Sequence, residues 1–76
     1  MSWVIVLFSE PREVYIDDQG QGSNVAASGR PRVFPVNAGK HTFRLGGPAN
    51  VSPAEQRLDV PERPILDPYC VEFKKC

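Results

Sequence analysis

The chain is short of what active-site chemistry draws on. It has one histidine, His41, and two cysteines, Cys70 and Cys76. A zinc site takes four ligands, and these three do not fill one, so no metal and no cofactor is expected. On a continuous strand the two sulfurs would lie about 20 Å apart, beyond disulfide reach unless the tail folds back. Charge excess is missing as well: nine basic residues balance nine acidic ones. Nothing in that balance draws in nucleic acid or an anionic membrane. Arg30-Pro31-Arg32 and Lys74-Lys75 read as solvated loop and tail. Long apolar runs are also lacking. Trp3 to Phe8 is the longest, at six residues, too short to cross a bilayer and without the basic flank or cleavage site of an export signal. A full-length product of this sequence is expected in the cytoplasm; a fragment of a larger protein is compatible with an extracytoplasmic place. No window carries apolar residues at helical spacing, and eight prolines and six glycines punctuate the chain, which excludes long helices.

What is present is a rhythm of two. From Val33 to Leu45, Phe34 and Val36 alternate before Asn37-Ala38-Gly39-Lys40, and His41, Phe43 and Leu45 alternate after it. The pattern predicts a hairpin with its tight turn at that Asn and Gly. With 76 residues the chain makes one domain, and about 60–65% of the unfolded surface is buried at such a size. The expected fold is all-β: a small antiparallel two-layer sandwich of six to seven short strands.

Trp3-Val4-Ile5-Val6-Leu7-Phe8 is the first strand, rich in β-formers. Both of its faces are apolar, and one must enter the core. The other needs cover, from another part of the chain or from a partner. Glu13 to Asp17 follows as a short strand, with Val14 and Ile16 on one side and Tyr15 on the other. Asp17-Asp18-Gln19-Gly20-Gln21-Gly22 reads as a turn. It lacks the calcium ligand ladder of an EF-hand and the glycine spacing of a phosphate cradle. Ser23 to Pro31 reads as a loop. Ser52-Pro53-Ala54-Glu55 has the form of a helix start, and at most one helical turn fits at 52–56. Leu58 to Val60 alternates again. Pro61 to Pro64 is a rigid connection, Ile65-Leu66 is expected to tuck onto the sandwich edge, and Tyr69 to Lys74 closes the chain as a strand. There Tyr69, Val71 and Phe73 share one face, and Cys70 and Glu72 the other.

The order of these pieces resembles a PEGA-type domain, a small β-sandwich module of bacterial and archaeal proteins. The likeness is carried by S-E-P-R-E-V-Y-I-D-D-Q-G-Q-G-S-N (Ser9 to Asn24), by V-N-A-G-K-H-T-F-R-L (Val36 to Leu45), and by the closing strands Arg57 to Val60 and Tyr69 to Lys74. Pro11-Arg12-Glu13-Val14 stands near the place of the tetrapeptide that names the family. The resemblance implies a non-enzymatic binding or spacer module.

Three functional readings arise from the residues. The first is a protein-interaction module that binds another protein or a second copy, through the N-terminal strand or a sheet edge, with Trp3, Val4, Val6, Phe8 and Tyr15 as candidate contact residues. The second is carbohydrate or cell-envelope binding, with Trp3, Tyr15 or Tyr69 stacked on sugar rings. The third is nucleophilic catalysis, which needs Cys70 and His41 in contact together with an orienting acid.

Overall fold

A computed structural model describes residues 1–76, all of them in strands, turns and connections. The strands in chain order are β1 (Ser2–Leu7), β2 (Glu13–Ile16), β3 (Gln19–Ser23), β4 (Val33–Val36), β5 (Gly39–Leu45), β6 (Val51–Ser52), β7 (Glu55–Val60), β8 (Tyr69–Glu72) and β9 (Lys74–Lys75). Seven of them build two sheets, one of three strands in the order β4-β1-β8 and one of four in the order β3-β2-β5-β7. The β6–β9 pair forms a separate ribbon. The pairings are antiparallel except for β1 with β8, which run parallel. A parallel neighbour requires a crossover, and here the excursion through the four-stranded sheet supplies it.

Alternation decides the layers. Val4, Val6, Phe34, Val36 and Val71 point inward from the three-stranded sheet, and Val14, Ile16, Phe43, Leu45 and Val60 point inward from the four-stranded one. With Phe73 they make a single core of eleven side chains, none more than 9% exposed. Phe43, at 0% exposure, is its largest fully buried member.

The segment Val33 to Leu45 is not a hairpin. β4 pairs with β1 and β5 pairs with β2 and β7, so Asn37-Ala38 carries the chain from one sheet to the other. Alternation is the same for a hairpin and for an arch between layers, so only burial distinguishes them. The turn expected over residues 17–22 is shorter than that. Asp17 and Asp18 alone form it, with φ of 53° and 66°, the two left-handed residues of a tight hairpin between β2 and β3. The glycines beyond lie in β3, where the register slips by one residue opposite β2. Gly22 (φ 95°) serves that bulge, and its N–H donates to Glu13 Oε2 at 2.8 Å.

No helical turn forms at 52–56. Val51–Ser52 pairs with Lys74–Lys75, the Ser52–Pro53 peptide is cis, and Glu55 already belongs to β7. Nor do Ile65 and Leu66 tuck in: they are 52% and 94% exposed. They sit in a turn closed by Asp67 N–H to the Pro64 carbonyl at 3.0 Å and by Arg63 Nε to the Asp67 carbonyl at 3.1 Å. Backbone closure there leaves the two apolar side chains pointing away from the sheets.

Two buried polar residues brace the layers. Ser2 Oγ donates to the Pro61 carbonyl at 2.6 Å and accepts the Arg63 N–H at 2.9 Å, tying the β7–β8 connection to β1. Asn24 Oδ1 accepts the Arg12 N–H at 2.8 Å, while the Asn24 N–H donates to the Arg12 carbonyl at 3.0 Å. Every buried side-chain nitrogen and oxygen has a partner, as a core of this size requires.

Candidate interaction surface

The two sheets present different outer faces. On the four-stranded sheet, Glu13, Tyr15, Lys40, Thr42, Arg44, Glu55, Arg57 and Asp59 point outward. Lys40 stands opposite Asp59 and Arg44 opposite Glu55 in the ladder. This is the ordinary wet face of a half-buried sheet.

The outer face of the three-stranded sheet has the opposite character. The ladder sets Trp3 beside Pro35, Ile5 between Val33 and Cys70, and Leu7 beside Glu72. Six of these seven side chains carry no charge. Trp3, Ile5 and Leu7 are half-buried by their neighbours, whereas Val33, Pro35 and Cys70 are exposed. No strand beyond β4 and β8 is hydrogen-bonded into this sheet. The Pro64–Asp67 turn precedes β8, whose first residue Tyr69 stands opposite Val4, and leaves Ile65 and Leu66 exposed near that end of β1. A neighbouring open cleft of about 410 Å³ lies at the other end, lined by Leu7, Phe8, Ser9, Glu72, Phe73, Lys74 and Lys75.

The residues singled out in the sequence are divided by this arrangement. Trp3 is on the apolar face. Val4 and Val6, at 0% and 1% exposure, are in the core, which corrects their selection as contact residues. Two apolar sets alternate along β1, and the smaller valines are the set sealed into the common core. The set left on the outer face, half-buried, is Trp3, Ile5 and Leu7. Phe8 lies just past β1, half-buried against the core, with the Arg12 guanidinium 5.2 Å from its ring centroid. Tyr15 is on the opposite layer, and the Arg44 guanidinium stands 4.0 Å from its ring centroid, a cation–π contact. Trp3, Tyr15 and Tyr69 therefore occupy three different surfaces, since Tyr69 faces inward.

Cys70 and His41 are not brought together. Both cysteines are free and exposed, and the nearest polar partner of Cys70 Sγ is the Pro68 carbonyl at 4.0 Å. His41 is on the inward row of β5, with Nδ1 2.6 Å from Asp17 Oδ2 and Nε2 2.6 Å from the Asn37 carbonyl.

Sequence reasoning missed Arg12, which ties the β1–β2 connection to the β5–β6 connection. Its side chain is 9% exposed. Nη1 donates to the carbonyls of Gly46 at 3.0 Å and Pro48 at 3.2 Å, and Nη2 donates to Asn50 Oδ1 at 2.6 Å and to Glu10. Glu10 also accepts from Lys75 Nζ at 3.4 Å. The Arg12 hydrogen bond, then Lys75, hold the Glu10 carboxyl below its ordinary range. An arginine next to proline in a charged turn carries no local sign of such a role.

No family model matches this chain, and no curated protein or solved structure matches it.

Proposed function

We propose that the domain is a non-enzymatic protein-interaction module of PEGA type, with the outer face of the β4-β1-β8 sheet as its contact surface. The observation that carries the reading is the contrast between the two outer faces: one is laced with paired charges, the other is almost uncharged. Contiguous exposed apolar surface on a small protein marks a place that something covers. The Pro64–Asp67 turn strengthens the reading, because it holds Leu66 94% exposed on a closed backbone. A backbone already closed into a turn loses little entropy when the side chain it carries makes contact.

The dimensions favour one class of occupant. Three strands are roughly 14 Å across and six residues roughly 20 Å long. That footprint is small for a dimer of sheets, which hides about 800 Å² on each partner. It fits one amphipathic helix about 10 Å wide and of roughly 13 residues, laid over the sheet as a second layer. The expected partner is such an apolar helical face on another chain.

The test compares Trp3→Lys, Ile5→Lys and Leu66→Asp with the parent chain, after circular dichroism shows each to be folded. Loss of apolar-dye binding and of any co-purifying partner in the folded variants is the expected result. Variants that fold and still bind as the parent does overturn the assignment. Val6→Asp serves as the contrast, because a core charge unfolds the chain.

A further inference from the structure

We infer that His41 is a proton-operated clasp that closes one end of the sandwich and releases it as its ring becomes neutral. Both ring nitrogens face acceptors, and hydrogen-bond accounting fixes the protons the ring must carry. Nδ1 lies 2.6 Å from a carboxylate oxygen of Asp17 and Nε2 lies 2.6 Å from the carbonyl of Asn37. A carbonyl oxygen only accepts. The Asp17 carboxyl already accepts the Thr42 N–H on its other oxygen at 3.0 Å, and that bond, followed by the one from His41, favours its ionised form. Two acceptors need two N–H groups, and only the imidazolium ring has both.

The ring's position gives the bond pair a mechanical meaning. Asn37 follows β4 of the three-stranded sheet, and Asp17 follows β2 of the four-stranded sheet. One side chain thus ties both layers at the same end. An open depression of about 290 Å³ lies there, lined among others by Met1, Ile16, Pro35, Val36 and Gln19. Ile16 and Val36, at 6% and 8% exposure, are among the least sealed members of the core.

Release follows from the same accounting. When one proton leaves to solvent, Asp17 retains the remaining N–H, because a carboxylate is the stronger acceptor. The lone pair of Nε2 then faces the lone pair of the Asn37 carbonyl at a distance that suits only a hydrogen bond. The Asn37-Ala38 connection must move away, and the end of the sandwich opens over Ile16 and Val36. Other charges around the ring are Lys40 on its own strand, Arg57 from β7, which lines a depression with Lys40, His41 and Thr42, and the Met1 ammonium, paired with Glu62 at 3.1 Å. Asp17 favours ring protonation, and partial burial of the ring opposes it. The Asp17 hydrogen bond dominates, so the ring holds its proton to higher pH than the ordinary 6.5. A raised value in the fold means that the clasp is complete below 6.5 and is lost as pH rises through the raised value.

Ring-nitrogen NMR across pH, combined with amide exchange, tests the clasp. Both ring nitrogens are expected to carry protons at about pH 6, where a free histidine is already losing one. The midpoint should lie above 6.5 and move down in Asp17→Asn, and the protection of the Val36 amide, which pairs opposite Ser2 beside the Asn37-Ala38 connection, should fall over the same range. His41→Gln, which cannot titrate, should show protection independent of pH over that range. A ring neutral at about pH 6, or a parent midpoint at or below 6.5, overturns the clasp. So does a His41→Gln chain that loses protection as the parent does. Should His41→Gln fail to fold, the Asp17→Asn midpoint decides: no downward move overturns the proposal.

Discussion

Single side chains do much of the joining in a molecule with so little interior. Arg12 is the clearest case, because one guanidinium satisfies the carbonyls of Gly46 and Pro48, the amide of Asn50 and the carboxylate of Glu10. Arg12→Ala leaves those acceptors unpartnered at a partly buried rim and is expected to lower stability by about 2–4 kcal/mol, read by urea unfolding. A chain of this length has roughly 4–11 kcal/mol in all, so the variant should be near its folding limit. Acid should act at Glu10, beside Arg12, and at Asp17, beyond the other end of β2. Glu10 and Asp17 both have carboxyls held below their ordinary values of 4.5 and 3.8. Lowered values in the fold mean that their stabilisation is present above those ordinary values and is lost as pH falls through the lowered ones. Thermal melting followed from neutral pH downward should show this acid limb, and Glu10→Gln should flatten part of it. An unchanged limb in that variant would assign it elsewhere.

At the scale of the elements, the strands owe their place to side chains that meet across the layers more than to their own propensity. β5 pairs on both sides, with β2 and β7, and presents Phe43 to the middle of the core. Phe43→Ala is expected to cost about 3–5 kcal/mol, a large share of the total, read as a lowered urea midpoint by circular dichroism. β3 depends on its bulge. At Gly22 the backbone has φ of 95°, and an added Cβ would meet the Arg32 guanidinium. Gly22→Ala therefore combines a left-handed residue with a clash. About 1–3 kcal/mol of destabilisation is expected, with the β2–β3 amides the first to exchange. Gly29, where an added Cβ meets nothing, is the control for the clash.

At the scale of the whole molecule, zero net charge and one uncovered apolar face point the same way. Without a partner, the protein should self-associate weakly as its concentration rises, because no net repulsion keeps copies apart. Contact through apolar surface should strengthen with sulfate salts, whereas contact through ion pairs would weaken with salt. Sedimentation velocity over a concentration series in both kinds of buffer distinguishes them, and Ile5→Lys should abolish the association. An ideal monomer at every concentration and salt would indicate that the face is too small to hold a second copy.

The sequence by itself determined the class of fold and most of its strands. Alternation, β-branched runs and glycine–proline punctuation act within a few residues, so β1, β2, β5 and the closing strand could be read directly from the chain. It also placed His41 on the row of Phe43 and Leu45. Tertiary structure decided everything that depends on a distant neighbour. Val4 and Val6, not Trp3 and Ile5, entered the core that the two layers share. The connection at Asn37-Ala38 became an arch between sheets, because β1 took β4 as its neighbour and left β5 to β2 and β7. Ile65 and Leu66 stayed out because the hydrogen bonds of their turn were satisfied without them. In each case two local conformations are nearly equal in energy, and burial contributed from far along the chain selects one.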